Sequence, residues 1–370
     1  MRILTVGNMY PPHHLGGYEQ DWAAGVAALQ AVGHDVKVLV SDHREAGVAE
    51  QDPPFVERTL RWYWHDHEFP TRSFFERLAI QRHNRATLAS ALDQFQPDLV
   101  SWWPMGGMSM ALLEQVRRAP IPAVGVVYDD WMVYGPMVDA WHASWVPTRI
   151  DFDRAARWYF ASDSVRKAAP VDGELLPPGL DEVFLAPAPE RDWQWKLLAP
   201  GRIDPRKGLA TAIGAVAQLP RARLEIIGSG DSAHRAELDA LVERVGVADR
   251  VVFSPPRPRP ELAAAYADCD AVVFPVIWSE PFGLVPLEAM GIGRPVVASG
   301  RGGSGEFLRD GENCLLHEAE DAASLAAALQ RLADDAGLRA RLREGGFKTA
   351  PQFARSKWDE RVVAIHEAAV

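Results

Sequence analysis

The chain has 370 residues, 48% of them hydrophobic and 24% charged, with a formal net charge of −11. That length exceeds one ordinary core and suits two domains of about 150 to 200 residues, while the acidic balance argues against non-specific nucleic-acid binding. Cys269 and Cys314, the only cysteines, exclude a cysteine-rich metal site or disulfide framework and suit a reducing cytoplasm. Met1–Val6 runs straight into a strand without an apolar leader, and no apolar run nears the ~20 residues of a membrane span, which leaves peripheral membrane contact open.

Arg2 to Gly7 reads as a strand, Asn8 to Gly17 as a loop, Glu19 to Val32 as a helix with Trp22, Val26 and Leu29 on one face, and Asp35 to Val40 as a second strand. This start implies a parallel, doubly wound α/β sheet with right-handed crossovers. A nicotinamide-binding domain wants Gly-x-Gly-x-x-Gly directly after the strand, which residues 7 to 17 do not supply. Gly16-Gly17 instead lets the backbone approach a phosphate or sugar closely; a plain tight turn is the other reading. Residues 52 to 85 read as irregular, with Trp62, Trp64, Phe69, Phe74 and Phe75 interleaved with Arg58, Arg61, Arg72, Arg77, Arg82 and Arg85. Rings packed on the domain and guanidinium groups in water is the expectation there. Stacking on a sugar, an aglycone or a lipid headgroup stays open. Asp98–Trp103 and Ala123–Val127 are further strands, separated by a Gly106-Gly107 turn and a helix from Met108 to Arg118, and the second ends in Tyr128-Asp129-Asp130-Trp131. The aspartates suit contacts to ligand hydroxyls, or a helix N-cap. The proline-rich Ala186–Glu190 reads as an interdomain linker.

In the second half, Trp195–Ala199 is a strand followed by Gly201-Arg202 and Lys207-Gly208. Two fixed cations at a strand end can neutralise a pyrophosphate, the arginine bidentately. A helix at Leu209–Leu219 and a strand at Arg223–Ile227 lead to Gly228-Ser229-Gly230, a weak signal by itself. A helix at Asp231–Val245, a strand at Val251–Ser254 and the rigid Pro255–Pro260 loop follow. Ala271–Val276 is the next strand, Ile277–Gly283 a loop, Leu284–Gly291 a helix that tolerates Pro286 in its first turn, and Arg294–Ser299 a strand. A loop feeding a helix N-terminus is an anion site. Glu280 in that loop and Glu288 in the helix serve no anion. Carboxylates do accept hydrogen bonds from vicinal hydroxyls, so the combination points to a phosphorylated, hydroxyl-rich ligand, a nucleotide sugar. Ala322–Asp334, Leu338–Arg343 and Arg355–Ala368, the last carrying Trp358, read as helices.

Glu280 and Glu288, set in S-E-P-F-G-L-V-P-L-E-A-M and followed by G-x-P-V-V-A-S, resemble the signature of retaining glycosyltransferases of family 4, also called group 1, on the GT-B fold. Gly-Arg, four residues, Lys-Gly at 201–208 is similar to the same family. The resemblance implies two Rossmann-like doubly wound domains facing across a cleft. Residues 1–186 would bind the hydroxyl-bearing acceptor substrate and 187–351 the nucleotide-sugar donor, with 352–370 a helix crossing back to the first domain. Arg202 and Lys207 would clamp the donor diphosphate, with backbone N–H groups of Phe282, Gly283 and Leu284. Glu280 would hold donor-sugar hydroxyls and Glu288 the ribose; the loop of Pro256 would reach the base, and Gly16, Gly17 and Gly228 would lie along the donor. At Tyr128-Asp129 the family usually shows His-Asp. Tyrosine, with an ordinary pKa of about 10, is a poor base, which leaves a backbone or positioning role. Nine of the thirteen tryptophans precede residue 160, in the half that would hold a bulky or glycosidic acceptor. The resemblance further implies a transferase that needs no metal or cofactor, with UDP-sugars favoured over GDP-sugars. A nucleotide-sugar epimerase or hydrolase on the same fold, and a non-catalytic nucleotide-sugar-binding protein, are the alternatives. The oligomeric state is left open.

Overall fold

The computed structural model describes residues 1–14, 16–48, 51–64, 69–138 and 150–370; Trp141 and Trp145, two of the nine early tryptophans, lie outside them. The chain divides into two compact units, Met1–Pro177 with Trp358–Val370, and Pro178–Lys357.

The first unit runs β1 (Arg2–Val6), α1 (Gly17–Ala31), β2 (Asp35–Ser41), β3 (Val56–Leu60), α2 (Phe74–Phe95), β4 (Leu99–Trp102), α3 (Ala111–Arg118), β5 (Ala123–Val127), α4 (Trp131–Val138), α5 (Phe152–Ala155), β6 (Arg157–Phe160), α6 (Asp163–Ala168) and β7 (Glu174–Leu175). Its seven strands pair in parallel in the order β3-β2-β1-β4-β5-β6-β7. Four of the five β1 residues and all of β4 and β5 are buried, as continuous apolar strands covered on both faces require. The direction of winding reverses beside β1, so the loops after β1 and β4 border the crevice where such sheets take ligands.

Residues 52–85, expected to be irregular, instead hold β3 and the start of a 22-residue helix, α2. A capping box opens that helix: the Glu76 carboxylate accepts the Ser73 N–H at 2.7 Å and the Ser73 hydroxyl accepts the Glu76 N–H at 3.3 Å. Its buried face is narrow, Ile80, Asn84, Leu88 and Ala91. Asn84 ties α2 to the chain beyond β3, accepting the Arg61 N–H at 2.7 Å and donating to the Arg61 carbonyl at 2.8 Å. The aromatic groups split: Trp62 is buried, while Phe69, Phe74 and Phe75 are exposed.

The second unit contains β8 (Lys196–Pro200), α7 (Leu209–Gln218), β9 (Arg223–Ile227), α8 (Ser232–Arg244), β10 (Val251–Ser254), α9 (Arg259–Asp268), β11 (Ala271–Phe274), α10 (Leu284–Ile292), β12 (Val296–Ala298), β13 (Leu315–Leu316), α11 (Ala322–Asp334) and α12 (Ala336–Thr349). Six parallel strands lie in the order β10-β9-β8-β11-β12-β13. Leu197, Leu224, Ile226 and Val273 of the sheet pack in one core with Ile213 and Val216 of α7 and Leu325 and Leu329 of α11. The topological switch falls at β8 and β11.

The Ala186–Glu190 stretch, expected to link the domains, is part of the second unit. Ala188 N–H donates to the Ile292 carbonyl at 2.9 Å, Arg294 Nη1 donates to the Pro189 carbonyl at 3.0 Å, and Arg343 Nη2 donates to the Ala188 carbonyl. Proline richness marked extended chain there, and the arginines pin it down. The crossover comes earlier, after Pro177.

The final helix, α13 (Arg355–Glu367), begins in the second unit and ends in the first. Trp358, Val362, Ile365 and His366 are its buried residues. Burial pushes the His366 imidazole down to about 4, so it is neutral. Its Nδ1 lies 2.7 Å from the Val362 carbonyl and its Nε2 2.8 Å from the Ser101 hydroxyl at β4.

Candidate functional site

The loops leaving β8 and β11, at the switch point, carry Arg202, Lys207 and Glu280. Asp204 shapes the first loop: its carboxylate accepts the Arg206 N–H at 2.9 Å and caps a short 3₁₀ turn at Pro205–Lys207. Gly208 follows at φ +65°, where a Cβ would lie 2.0 Å from the Pro275 carbonyl; the two loops therefore touch through backbone. Burial alone would raise the Asp204 carboxyl, but hydrogen bonds from Arg206 and the charges of Arg206 and Arg202 hold it down to about 2. Arg202 is half-exposed, 4.0 Å from Asp204, so most of its guanidinium faces solvent.

Lys207 and Glu280, 73 positions apart, form an ion pair at 2.8 Å. The same Glu280 oxygen accepts the Trp278 Nε1–H at 2.8 Å, and the Trp278 ring lies 4.3 Å from the Arg206 guanidinium. Glu280 is 8% exposed, so two donors, one of them a cation, hold an otherwise costly buried carboxylate. Its backbone is fixed as well. Gly303 N–H donates to the Glu280 carbonyl at 2.7 Å, and Gly302, at φ +66°, passes where a Cβ would come within 2.4 Å of Glu280 backbone atoms.

Glu280 precedes α10, whose N-cap, Gly283, sits at φ +87° with no side-chain cap. The first N–H groups of α10 thus lack a side-chain acceptor, at the positive end of the helix. Phe282 is buried against Phe307 and Phe353, which leaves its backbone rather than its ring for contact. Leu284 is half-buried.

Glu288 lies one turn further along α10. Burial raises its carboxyl above the ordinary range, opposed by the hydroxyl of Tyr266, which donates to Oε2 at 2.5 Å, and by the charge of Arg259. Arg259 itself pairs with Asp181 at 2.8 Å. Gly228 meets the Arg202 loop from the side: a Cβ there would lie 1.9 Å from the Gly201 carbonyl. Its glycine is required by that backbone approach. Pro256 is exposed on the loop from β10 to α9.

In the first unit, Tyr128 and Asp129 follow β5. Tyr128 is 6% exposed. Its ring stacks on Tyr18 at 5.0 Å, and its hydroxyl accepts the Trp358 Nε1–H at 2.8 Å. Asp129 Oδ1 accepts the Trp131 N–H at 3.1 Å, at the start of α4. Burial lifts the Asp129 carboxyl to about 7, with repulsion from Asp130 and Glu19 adding and the Trp131 N–H opposing. Glu19 in turn accepts the Gly16 N–H at 2.9 Å. A Cβ on Gly17 would meet nothing within 4 Å, so open space lies beside the first turn of α1.

Sequence reasoning passed over Trp278, Asp204 and Tyr266, and named Trp358 only as a residue of the last helix. Trp278, two residues before Glu280, and Asp204, in an Asp-Pro turn starter, carried local signals. Tyr266 and Trp358 carried none. Among the described residues no cluster of His, Cys, Asp and Glu is placed to hold a metal ion, and no helix is long and apolar enough to cross a membrane.

Residues 184–349 match the model of the family "Glycosyl transferases group 1". A D-inositol 3-phosphate glycosyltransferase of Stackebrandtia nassauensis is 34% identical over 224 residues, 55% of this chain and 50% of the relative. Its counterpart in Acidothermus cellulolyticus is 35% identical over 211 residues, 52% of this chain and 46% of the relative. The aligned region thus spans about half the length of these curated relatives. Among solved structures, sucrose-phosphate synthase from Thermosynechococcus elongatus superposes with a TM-score of 0.74 at 22% identity, covering 99% of this chain and 98% of that one. Anabaena HepE in complex with UDP-glucose superposes with a TM-score of 0.73 at 21% identity, covering 100% of both. At such identities the likeness speaks for the fold, the GT-B type with two parallel-sheet α/β domains.

Proposed function

Residues 184–349 match the glycosyl transferases group 1 model, and from that premise we propose that the chain is a retaining, metal-independent glycosyltransferase. Its donor is a UDP-sugar and its acceptor a hydroxyl of a glycan, glycolipid or natural product. The observation that carries this reading is the Lys207–Glu280 pair at the switch point of the second sheet. It puts a cation for the leaving diphosphate and a carboxylate for sugar hydroxyls side by side. Arg202, half-exposed beside the same loop, adds charge where the diphosphate departs. The uncapped N–H groups of α10 offer a further anion cradle. These fixed charges do the work for which other transferases recruit a cation.

In this reading Glu280 exchanges its bonds to Lys207 and Trp278 for donor-sugar hydroxyls, which frees Lys207 for phosphate. Glu288, with Oε2 held by Tyr266, presents its other oxygen to the ribose. The acceptor hydroxyl attacks on the face the diphosphate leaves, and a phosphate oxygen takes its proton, which gives retention. Asp129 orients the acceptor, and Tyr128 supports that loop through Tyr18 and Trp358. The structural neighbour solved with UDP-glucose supports the uridine assignment. The buried free cysteines suit a reducing cytoplasm.

Thermal shift with UDP, GDP, ADP and dTDP, with and without magnesium, tests the donor assignment. A ligand at a hundred times its Kd stabilises the folded state by about 2.7 kcal/mol. UDP should raise Tm without magnesium and the others less. A Tm unmoved by all four overturns the reading, and a magnesium requirement overturns metal independence.

A further inference from the structure

We propose that the second unit has another ligand site, a pocket for a phosphate-type oxyanion at the end of its sheet opposite Lys207 and Glu280. The topology separates the two places. Arg202, Lys207 and Glu280 follow the carboxyl ends of β8 and β11, whereas Trp193, Asp270 and Pro295 stand just before the amino ends of β8, β11 and β12. Around the latter lies a cavity of about 100 Å³, lined by Arg191, Arg294, Arg339 and Arg343 with Trp193 and Asp270 among others. A water's share of the liquid is about 30 Å³, so the cavity has room for a small tetrahedral anion.

Part of this arginine cluster is architectural. Arg294 donates to the Tyr266 and Ala267 carbonyls that end α9, Arg343 to the Gly293 carbonyl that ends α10, and Arg339 to the Leu332 and Ala333 carbonyls that end α11. Three helix C-termini, each a partial negative charge, are thus each held by a guanidinium. Arg294 spends all three of its nitrogens on carbonyls and Arg343 both of its Nη atoms, so the surplus lies with Arg339. A guanidinium carries five N–H donors, and the bonds of Arg339 run from Nη1 alone. Asp270 is an acceptor in the same lining: Oδ2 accepts the Gln194 and Lys196 N–H groups at 2.8 Å, and Oδ1, buried without a hydrogen-bond partner among the described residues, forms an ion pair with Arg191 at 3.0 Å. The other lining carboxylate, Glu190, is 78% exposed and 3.9 Å from Arg343.

Two further observations point to a missing acceptor of hydrogen bonds. Trp193 Nε1 is buried and has no partner among the described residues, although buried donors are nearly always satisfied. Arg294 is 5% exposed; burial lowers its proton affinity, as do the like charges of Arg343 and Arg191, against the opposing influence of Cys269 and Asp270. With four arginines set against Asp270 and the exposed Glu190, the lining carries a positive excess that is complementary to an oxyanion. None of the residues assigned to the donor lines this cavity.

The test is Tm of the full chain against inorganic phosphate at constant ionic strength, with potassium chloride as the control and saturating UDP present. A saturable rise is expected, retained in Arg202→Gln, where the switch-point cation is lost, and weakened about tenfold or more in Arg339→Gln. A parallel arm with glucose 6-phosphate tells a phosphomonoester from the free ion: tighter binding than phosphate marks the former, equal or weaker binding the latter. Should Arg339→Gln fail to fold, Trp193→Phe, which removes only the unpartnered donor, weakens the response several-fold. No saturable rise, a rise untouched by the folded pocket variants, or one abolished by Arg202→Gln overturns the proposal.

Discussion

At the switch point of the second sheet, Lys207 and Trp278 both bond to Glu280, so the polar groups there satisfy one another and remain exchangeable. In the first unit Tyr128 leans on Tyr18 and its hydroxyl accepts a bond from Trp358 on the last helix. The first arrangement keeps charged groups in reach of a ligand that offers better partners. The second commits a side chain to the scaffold. The proposed donor chemistry therefore rests on exchangeable groups, whereas Tyr128, where the resemblance leads one to expect a histidine, has a structural partner.

The comparison breaks first at Glu280. Glu280→Ala removes the carboxylate and leaves two donors without their acceptor, and sugar transfer should fall by roughly a hundredfold to a thousandfold while UDP still binds in calorimetry. Arg202→Ala should weaken both, UDP affinity by about tenfold. Normal turnover in Glu280→Ala would make the ion pair merely structural.

Tyr128 sharpens the other side. Tyr128→Phe strands the Trp358 Nε1–H and should cost about 1 to 3 kcal/mol in denaturant unfolding. A double-mutant cycle with Trp358→Phe should return a coupling of about 1 kcal/mol. Turnover should stay within a small factor, with an unchanged pH profile. A collapse of kcat at unchanged stability would return Tyr128 to the chemistry.

The smallest expected effect is a slope. Asp129 is held up to about 7 in the folded chain, against an unfolded value of about 3.9. The folded state therefore binds the proton more tightly, and this stabilisation is full below the unfolded value and lost as pH rises through the folded one. Tm measured from pH 4 to pH 8 should show that decline in the natural chain and a flatter profile in Asp129→Asn. Parallel profiles would mean that the carboxyl is ionised throughout.

Much of this was legible in the sequence because it was local. The β-branched run at Ala271–Phe274, the Gly-Gly pair before α1 and the acid-bearing loop before α10 each declare themselves within a dozen residues. The start of α2 was legible too, in Ser73-x-x-Glu76, but its stripe of Ile80, Asn84, Leu88 and Ala91 is narrow and includes an amide, so the aromatic residues before it dominated the reading. The contacts that define the site are long-range. Nothing near Lys207 announces a partner 73 positions away, and nothing near Tyr128 announces Trp358, 230 positions away. Ala186–Glu190 misled for the opposite reason: its prolines speak of local stiffness, while Arg294 and Arg343 decide where it lies.

The placement of Trp358–Val370 in the first unit has a consequence for synthesis. A chain leaving the ribosome folds domain by domain from the amino end as a rule, yet here the first sheet must wait. The 180 residues from 178 to 357 emerge before the tryptophan that reaches Tyr128 and the histidine that reaches Ser101. Gly25, where a Cβ would crowd Trp103 and Trp358 at 3.1 and 3.3 Å, is until then a notch without its key. The contiguous second unit can be finished while the first is still waiting, so a nascent chain stalled before residue 358 should show protease-resistant material from the carboxyl half and a nicked amino half.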